Sequence, residues 1–193
     1  MNMEIFHIIN NLAYKNKVLD SVMLFFSKDM IYIFAGIIAV LFLFGVAKRD
    51  KEARLTAVNT VVFTAISLII AYFIGMVFYI DRPFVNNKVN LLYPHAADAS
   101  FPSDHATVTM STALGSNSYK RTFGNILIIL SVIVGFSRVF VGHHTPFDII
   151  GTYVLVFVIS YAYNAILRKR ISKVYYKVEG TVARKLGITW LYE

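Results

Sequence analysis

Apolar and polar residues are segregated along this chain into long uncharged apolar runs and short polar stretches. Four runs are long enough for membrane-spanning helices, since about 20 apolar residues cross the hydrocarbon core of a bilayer. They lie at 30–47, 57–80, 123–141 and 148–167. A fifth segment, 105–118, is short and rich in Ser, Thr and small residues. It predicts a helix packed inside the bundle, where small side chains allow close approach.

The first 27 residues carry an apolar stripe that four polar residues interrupt: Asn10, Asn11, Lys15 and Lys17. Such a segment either crosses the membrane as a weak first helix or lies in the interface as an amphipathic one. We favour a span. No basic region leads into a small-residue cleavage site, so we do not expect a signal peptide. The pattern therefore predicts an all-α, polytopic membrane helical bundle of about six transmembrane helices.

The distribution of basic residues predicts the orientation of this bundle. With six spans both termini fall on one side, which carries 15 Lys and Arg against 4 on the other. The positive-inside rule makes that side, and so both termini, cytoplasmic. If the N-terminal helix lies outside instead, the tally becomes 13 to 6 and the orientation is unchanged. The basic tail, 168–193, is expected to meet anionic lipid.

Composition narrows the class of protein further. Hydrophobic residues make up 57% of the chain and charged residues 16%, and the mean hydropathy is +0.61. These values exclude a soluble enzyme or a nucleic-acid-binding module despite the net charge of +8. The absence of cysteine excludes disulfides, iron–sulfur clusters and thiolate zinc sites. We expect one integral membrane domain over 1–193, with neither a metal nor another cofactor.

Three polar clusters interrupt the sparsely charged outer side, where ionisable groups beside apolar spans are usually functional. They are Arg82 in the sequence IDRPF, the FPSDH segment at 101–105, and the stretch 137–148. Ser103 stands where a helix begins, so it can cap that helix, whose free N–H groups and dipole favour an anion. Arginines supply planar forks that suit phosphate oxygens.

The third cluster adds a candidate nucleophile. His144 and Asp148 are four residues apart, a spacing at which a carboxylate can fix the tautomer of an imidazole. His105, in the first turn of the short polar helix, adds a second imidazole that can donate a proton. Two imidazoles, a carboxylate, two guanidinium groups and a helix N-terminus together predict phosphoryl transfer that requires no metal.

These residues resemble the three signature motifs of the phosphatidic acid phosphatase type 2 superfamily of lipid phosphate phosphatases. The third motif, SR-x5-H-x3-D, is complete from Ser137 to Asp148. The second, PSGH, is present as PSDH at 102–105, with Asp104 where the family usually has Gly. The resemblance covers about 57–167, the motif-bearing core of the domain.

The first motif of the family, K-x6-RP, is half present. Arg82 and Pro83 match it, whereas Gly75 stands at the lysine position, and Lys88 is the nearby outer-side candidate to replace that lysine. The small size, the PSDH variant and the missing lysine resemble the bacterial undecaprenyl-diphosphatases of the bacitracin-resistance type.

The resemblance implies a role for each residue. His144 would attack phosphorus and become a phosphohistidine, with Asp148 orienting its ring. His105 would protonate the leaving oxygen and later activate water. The phosphoryl oxygens would be held by Arg82, Arg138, Ser103 and the backbone N–H of Asp104. We expect His143 to point away from the site or to be solvated, and His95 to have no special role.

The sequence therefore predicts a phosphatase of a bacterial plasma membrane whose site lies on the extracytoplasmic side. Undecaprenyl diphosphate is the favoured substrate, with phosphatidylglycerophosphate and phosphatidate as alternatives. A transporter subunit or a non-catalytic lipid-phosphate binder that uses the same arginines is the non-enzyme alternative. The sequence leaves the oligomeric state open.

Overall fold

The computed structural model describes residues 1–187, and every regular element within that range is helical. This confirms the all-α prediction. The helices are α1 (Asn2–Asn10), α2 (Lys17–Lys28), α3 (Met30–Ala47), α4 (Lys51–Val77), α5 (Pro83–Asn86), α6 (Asp104–Ser116), α7 (Arg121–Phe140), α8 (Pro146–Ala162) and α9 (Arg168–Leu186). A π-helical turn, Tyr163–Leu167, joins α8 to α9.

Four of the described helices are long and apolar enough to cross a membrane: Met30–Ala47, Lys51–Val77, Arg121–Phe140 and the continuous helix Pro146–Lys185. They correspond to the four apolar runs of the sequence. The last continues through the π-helical turn for 40 residues, so it extends well beyond the predicted end of that run.

The short helix α6 lies at the centre of the bundle, where it packs against α3, α4, α7 and α8. Its backbone approaches α4 closely, because a Cβ atom at Gly115 would collide with the side chain of Thr60. Its hydroxyl groups are satisfied within the bundle: Ser111 donates to the carbonyl of Thr107 at 2.7 Å, and Thr109 pairs with Ser131 at 2.8 Å. The prediction of an internal helix is confirmed.

Helices α3, α4, α6, α7 and α8 run alternately up and down the bundle, which gives it two distinct ends. One end is marked by Ser100, whose N–H donates to the carbonyl of Ile80 at 2.8 Å. This end, which holds all three polar clusters, is called the site end below. The opposite end is marked by Tyr119, whose hydroxyl donates to Asp50 at 2.9 Å.

The N-terminal segment does not form the span that we favoured. It folds as two short helices, because Asn16 caps α2 by accepting hydrogen bonds from the N–H groups of Val18 and Leu19. The fully buried Asn10 donates to the carbonyls of Asn90 and Phe140, each at 2.8 Å. The segment therefore lies at the site end, as in the interfacial alternative.

This placement also corrects the prediction that both termini share one side. Within residues 1–187, α1 lies at the site end, where Asn2 bonds Thr145 and Asn10 bonds the carbonyl of Phe140, whereas α9 packs near the opposite end. Helix α9 packs on α4 through a buried ion pair, in which Arg54 Nε donates to Glu179 Oε1 at 2.6 Å. The last six residues of the predicted tail, 188–193, lie outside the described residues.

Candidate active site

Five of the polar residues singled out in the sequence converge at the site end, and all five are buried. They are Arg82, Ser103, Arg138, His144 and Asp148. The short loop between α7 and α8 carries His144, which is 1% exposed. At the rim, His105 is half-buried and Asp104 is exposed in the first turn of α6.

Both ring nitrogens of His144 have partners that determine its tautomer. Nδ1 lies 2.8 Å from the carbonyl oxygen of Ser100, which can only accept. Nε2 lies 3.0 Å from Nη1 of Arg82, which can only donate, and 3.2 Å from the hydroxyl of Ser103. Nδ1 therefore carries the proton and Nε2 presents a lone pair among groups that favour an anion.

The charge state of His144 follows from its surroundings. Burial lowers the pKa of His144 well below its usual value, and the nearby positive charges of Arg138 and Arg82 lower it further. The ring is therefore neutral at physiological pH, which is the state in which Nε2 can act as a nucleophile.

Arg82 is held in place by groups outside the motif. It precedes Pro83, the first residue of α5. Its Nε donates to Asp98 at 2.7 Å and its Nη1 donates to the carbonyl of His143 at 3.1 Å. Asp98 is 59% exposed, so its carboxylate belongs to the open rim of the site. This ion pair keeps the guanidinium beside His144.

Asp148 does not orient His144 by the direct contact that the spacing suggested. His144 precedes α8, so the two residues do not share a helical face. Asp148 instead accepts hydrogen bonds from the Ser100 hydroxyl and the Thr145 N–H, each at 2.7 Å. It completes a capping box on α8 with Thr145. Its influence on His144 therefore passes through Ser100, whose carbonyl holds Nδ1.

The N-terminus of α6 also differs from expectation. Ser103 occupies the N-cap position, but its side chain makes no capping hydrogen bond and is directed at His144 instead. The first-turn N–H groups, including that of Asp104, are consequently not capped by this hydroxyl. Burial lowers the pKa of His105 to about 3, and the nearby positive charges of Arg138 and Arg82 contribute to the shift. An anion between these groups would meet N–H donors, guanidinium groups and the second imidazole.

His143 is fully buried, so it is not solvated, and its ring points away from the donors around His144 Nε2, which is the other expected alternative. Its Nε2 lies 3.0 Å from the carbonyl of Tyr93, and its ring packs edge-on against those of Tyr93 and His95. Burial, with the charge of Arg138, lowers the pKa of His143 to about 2. Burial also lowers the pKa of His95, so that histidine is part of the site wall rather than a solvated bystander.

Sequence reasoning missed several residues that complete the site: Ser27, Tyr93, Asp98 and Ser100. Ser27 and Tyr93 hold Arg138, as described below. All except Ser27 belong to the irregular segment between α5 and α6, which has no periodicity to predict its contacts. Lys88, the proposed replacement for the missing lysine, is exposed. Lys28 contacts one of these residues, with its Nζ 4.2 Å from the centre of the Tyr93 ring.

Four of the described helices are long enough to span a membrane, and the site end brings together a neutral imidazole, two buried guanidinium groups and an uncapped helix N-terminus. This combination of groups suits phosphoryl transfer. Among residues 1–187 no group of three or more His, Cys, Asp or Glu could hold a metal ion. Comparison with known proteins identifies the family: the profile of the PAP2 superfamily matches residues 55–172, and the chain belongs to that superfamily. It is a phosphatase.

Relatives extend the match over most of the chain. It is 38% identical over 163 residues to the undecaprenyl-diphosphatase BcrC of Bacillus subtilis, covering 84% of this chain and 82% of that protein. It is 34% identical to the putative undecaprenyl-diphosphatase YbjG of Escherichia coli, covering 78% and 75%. The fold is similar to the crystal structure of Aquifex aeolicus LpxE, with a TM-score of 0.61, 24% identity and coverage of 83% and 93%.

Proposed function

We propose that this chain hydrolyses undecaprenyl diphosphate to undecaprenyl phosphate and inorganic phosphate through a phosphohistidine on His144. The observation that carries the proposal is the position of His144 Nε2. This unprotonated nitrogen lies 3.0 Å from Arg82 Nη1 and 3.2 Å from Ser103 Oγ. The choice of substrate is supported by the two relatives, which are named as undecaprenyl-diphosphatases.

In the first step His144 Nε2 attacks the terminal phosphorus, and the bond from phosphorus to the bridging oxygen breaks. Burial and the nearby positive charges lower the pKa of His105 to about 3 in the protein alone, so His105 takes up the proton that it donates only when the diphosphate anion is bound. His105 then gives this proton to the bridging oxygen, and the lipid monophosphate leaves. Arg82, Arg138 and the N–H groups at the start of α6 stabilise the charge that builds on the phosphoryl oxygens. The proton on Nδ1 stays on the ring, hydrogen-bonded to the Ser100 carbonyl.

In the second step water attacks the phosphorus of the phosphohistidine. His105, now neutral, accepts a proton from the water, the bond from phosphorus to Nε2 breaks, and inorganic phosphate leaves. The electron pair returns to Nε2, so His144 recovers its starting tautomer. His144 is thus the nucleophile in the first step and the leaving group in the second, while His105 acts first as an acid and then as a base.

We further propose that the site end faces the extracytoplasmic side of a bacterial plasma membrane. With the N-terminal segment at the site end, 13 Lys and Arg lie on the opposite side and 6 on the side of the site. The positive-inside rule then makes the end with α9 cytoplasmic.

The proposal is tested by phosphate release from the full-length protein in lipid nanodiscs with a chelator present. Undecaprenyl diphosphate should be hydrolysed faster than undecaprenyl phosphate or phosphatidate. Faster hydrolysis of a monophosphate lipid would refute the diphosphate preference. Loss of all activity with the chelator, restored by Mg²⁺, would refute the metal-free mechanism, and binding of vanadate without release from any lipid would indicate a non-catalytic binder.

His105→Ala offers a sharper test of the leaving group. A diphosphate expels a phosphate, which is a weak base, whereas a monoester expels a strongly basic alkoxide that needs the proton more. General acid catalysis is typically worth about 10²- to 10⁴-fold in rate. His105→Ala should therefore slow the hydrolysis of undecaprenyl phosphate more than that of undecaprenyl diphosphate. Equal losses on the two substrates would contradict the role of His105 as the proton donor.

A further inference from the structure

Arg138 is anchored by the N-terminal segment of the chain. It lies in the last turn of α7 and is 1% exposed. Its Nη1 donates to the backbone carbonyl of Ser27 at 3.2 Å, to the Ser27 hydroxyl at 3.0 Å and to the Tyr93 hydroxyl at 2.6 Å. The two hydroxyls are themselves 2.8 Å apart, so the three side chains form a closed set of hydrogen bonds.

These hydrogen bonds are all made by one nitrogen of the Arg138 guanidinium, Nη1. Nη1 has two N–H bonds, and its three acceptors use both. Nε is buried, and it has no hydrogen-bond partner among the residues that the structure describes. A buried guanidinium N–H without a partner costs free energy, and the fork that contains Nε is the shape that binds two oxygens of a phosphate. The free edge of Arg138 is therefore available to an anion.

We propose that Ser27 and Tyr93 are positioning residues, which fix Arg138 through Nη1 so that its Nε edge binds the phosphoryl group. The proposal rests on the function proposed above, in which Arg138 stabilises the transferred phosphoryl. Ser27 lies in α2, outside residues 55–172 that the superfamily profile matches. In this proposal the N-terminal helices help to position an active-site residue and do not only pack against the bundle.

The Tyr93 hydroxyl can be tested apart from the rest of the residue. The Tyr93 ring centre lies 4.3 Å from that of His143 and 4.2 Å from the Nζ of Lys28, and the Tyr93 carbonyl accepts from His143 Nε2. Tyr93→Phe keeps all three contacts and removes only the hydroxyl that Arg138 uses.

A matched control is available in the same region. The Tyr14 hydroxyl donates to the carbonyl of Leu91 at 2.8 Å, so it too links the N-terminal segment to the loop before α6. Tyr14→Phe removes a hydroxyl of the same kind that makes no contact with Arg138 in the described structure. A loss of activity in Tyr93→Phe but not in Tyr14→Phe would therefore be due to the contact with Arg138 and not to weaker attachment of the N-terminal segment.

The experiment measures vanadate binding by the full-length protein in nanodiscs, together with kcat and KM for undecaprenyl diphosphate. A hydrogen bond to a charged group is worth enough for about a tenfold change. Tyr93→Phe and Ser27→Ala should each weaken vanadate binding and lower kcat about tenfold with little change in KM. Tyr14→Phe should stay within about twofold of the wild type, and Ser27→Thr, which keeps a hydroxyl, should recover most of the loss.

The decisive comparison is made in the Arg138→Ala background. If Tyr93 acts through Arg138, adding Tyr93→Phe to Arg138→Ala should cause no further loss. A full additional tenfold loss in that background would overturn the proposal, as would a lower Tm without weaker vanadate binding. Because vanadate binding needs no lipid, a wild type that binds vanadate but does not hydrolyse undecaprenyl diphosphate would refute the proposed substrate alone.

Discussion

His144 has two ring nitrogens with opposite tasks: one is anchored to a backbone carbonyl and the other is directed at anion-binding donors. If Nε2 is the nucleophile, His144→Ala should form no phosphoenzyme, whereas His143→Gln should still form it, because the His143 ring contacts Tyr93 and not the donors around Nε2. His105→Ala should accumulate label, since water activation is impaired. Rapid acid-free quenching with phosphorus-labelled lipid measures all three variants.

The assignment of the nucleophile is easy to contradict. Label that survives in His144→Ala but is lost in His143→Gln would mean that the neighbouring histidine is the nucleophile. Labelling must be scored as acid-labile and base-stable, which separates phosphohistidine from phosphoserine on Ser103.

The buried His143 should make the stability of the protein depend on pH. Its pKa is lowered from 6.5 to about 2 in the folded protein, so below pH 6.5 the unfolded chain binds a proton that the folded protein does not. Stability should therefore fall as the pH drops from 6.5, by about 1.4 kcal/mol per pH unit for one such group. Thermal unfolding at pH 7.5, 6.5 and 5.5 measures this slope.

His143→Gln should reduce the slope of Tm against pH by the share of one group, because the amide side chain does not titrate, while the other buried histidines with lowered pKa values still contribute. His7→Gln, at a partly exposed histidine of α1, is the matched control. Identical slopes for the wild type and His143→Gln would contradict the linkage to His143.

The sequence predicted the residues beside His144 Nε2 but not the one at Nδ1. Arg82 and Ser103 stand in motifs whose residue types indicate phosphate binding, and the structure brings both to Nε2. Ser100 acts through its backbone carbonyl, a group that every residue has, so no residue type marks it. The direct bond expected from Asp148 was wrong because a helical spacing was applied to a loop residue that precedes the helix.

At the scale of elements, a buried ion pair joins α4 to α9 at the end of the bundle opposite the site. The Arg54 and Glu179 side chains are 3% and 8% exposed, and Arg54 also donates to the carbonyl of Gly45. Removing one partner of a buried pair costs about 3–5 kcal/mol. Glu179→Ala should therefore lower Tm strongly while the folded fraction keeps its kcat, as thermal unfolding and initial rates would measure.

Glu52→Ala is the matched control for Glu179→Ala, because Glu52 is an exposed carboxylate in the first turn of α4, the helix that carries Arg54. Its effect on Tm should be small. If Glu179→Ala and Glu52→Ala shift Tm equally, α9 does not depend on the ion pair. If Glu179→Ala abolishes activity in folded protein, the two ends of the bundle are coupled more closely than their separation suggests.

Some helices could be predicted from the sequence and others could not. The four long apolar runs need no tertiary information, since lipid selects for their length and composition. The N-terminal helices were misread because Asn10 and the polar residues after it look like defects in a span. Their role becomes visible only once Asn10 is seen to bond the backbone of two distant segments. Such long-range pairing leaves no local pattern.

At the scale of the whole molecule, the placement of α1 predicts a labelling pattern. In an otherwise cysteine-free chain, Lys15→Cys and Asn87→Cys should both react with an impermeant thiol reagent in intact cells, and Lys51→Cys should not. All three positions are exposed. Labelling of Lys51→Cys alone would reverse the orientation. Labelling of Asn87→Cys without Lys15→Cys would contradict the placement of the N-terminal segment beside the site.

The attachment of Asn2 has a practical consequence for how the protein is handled. Its side-chain amide donates to the Thr145 hydroxyl at 3.0 Å and accepts from the Phe147 N–H at 3.2 Å, directly beside the loop of His144. An affinity tag or fluorescent fusion at the amino terminus would emerge at this point and crowd the loop that carries His144. One joined beyond α9 would lie near the opposite end of the bundle from His144, so purification and imaging of active protein are best served from that end.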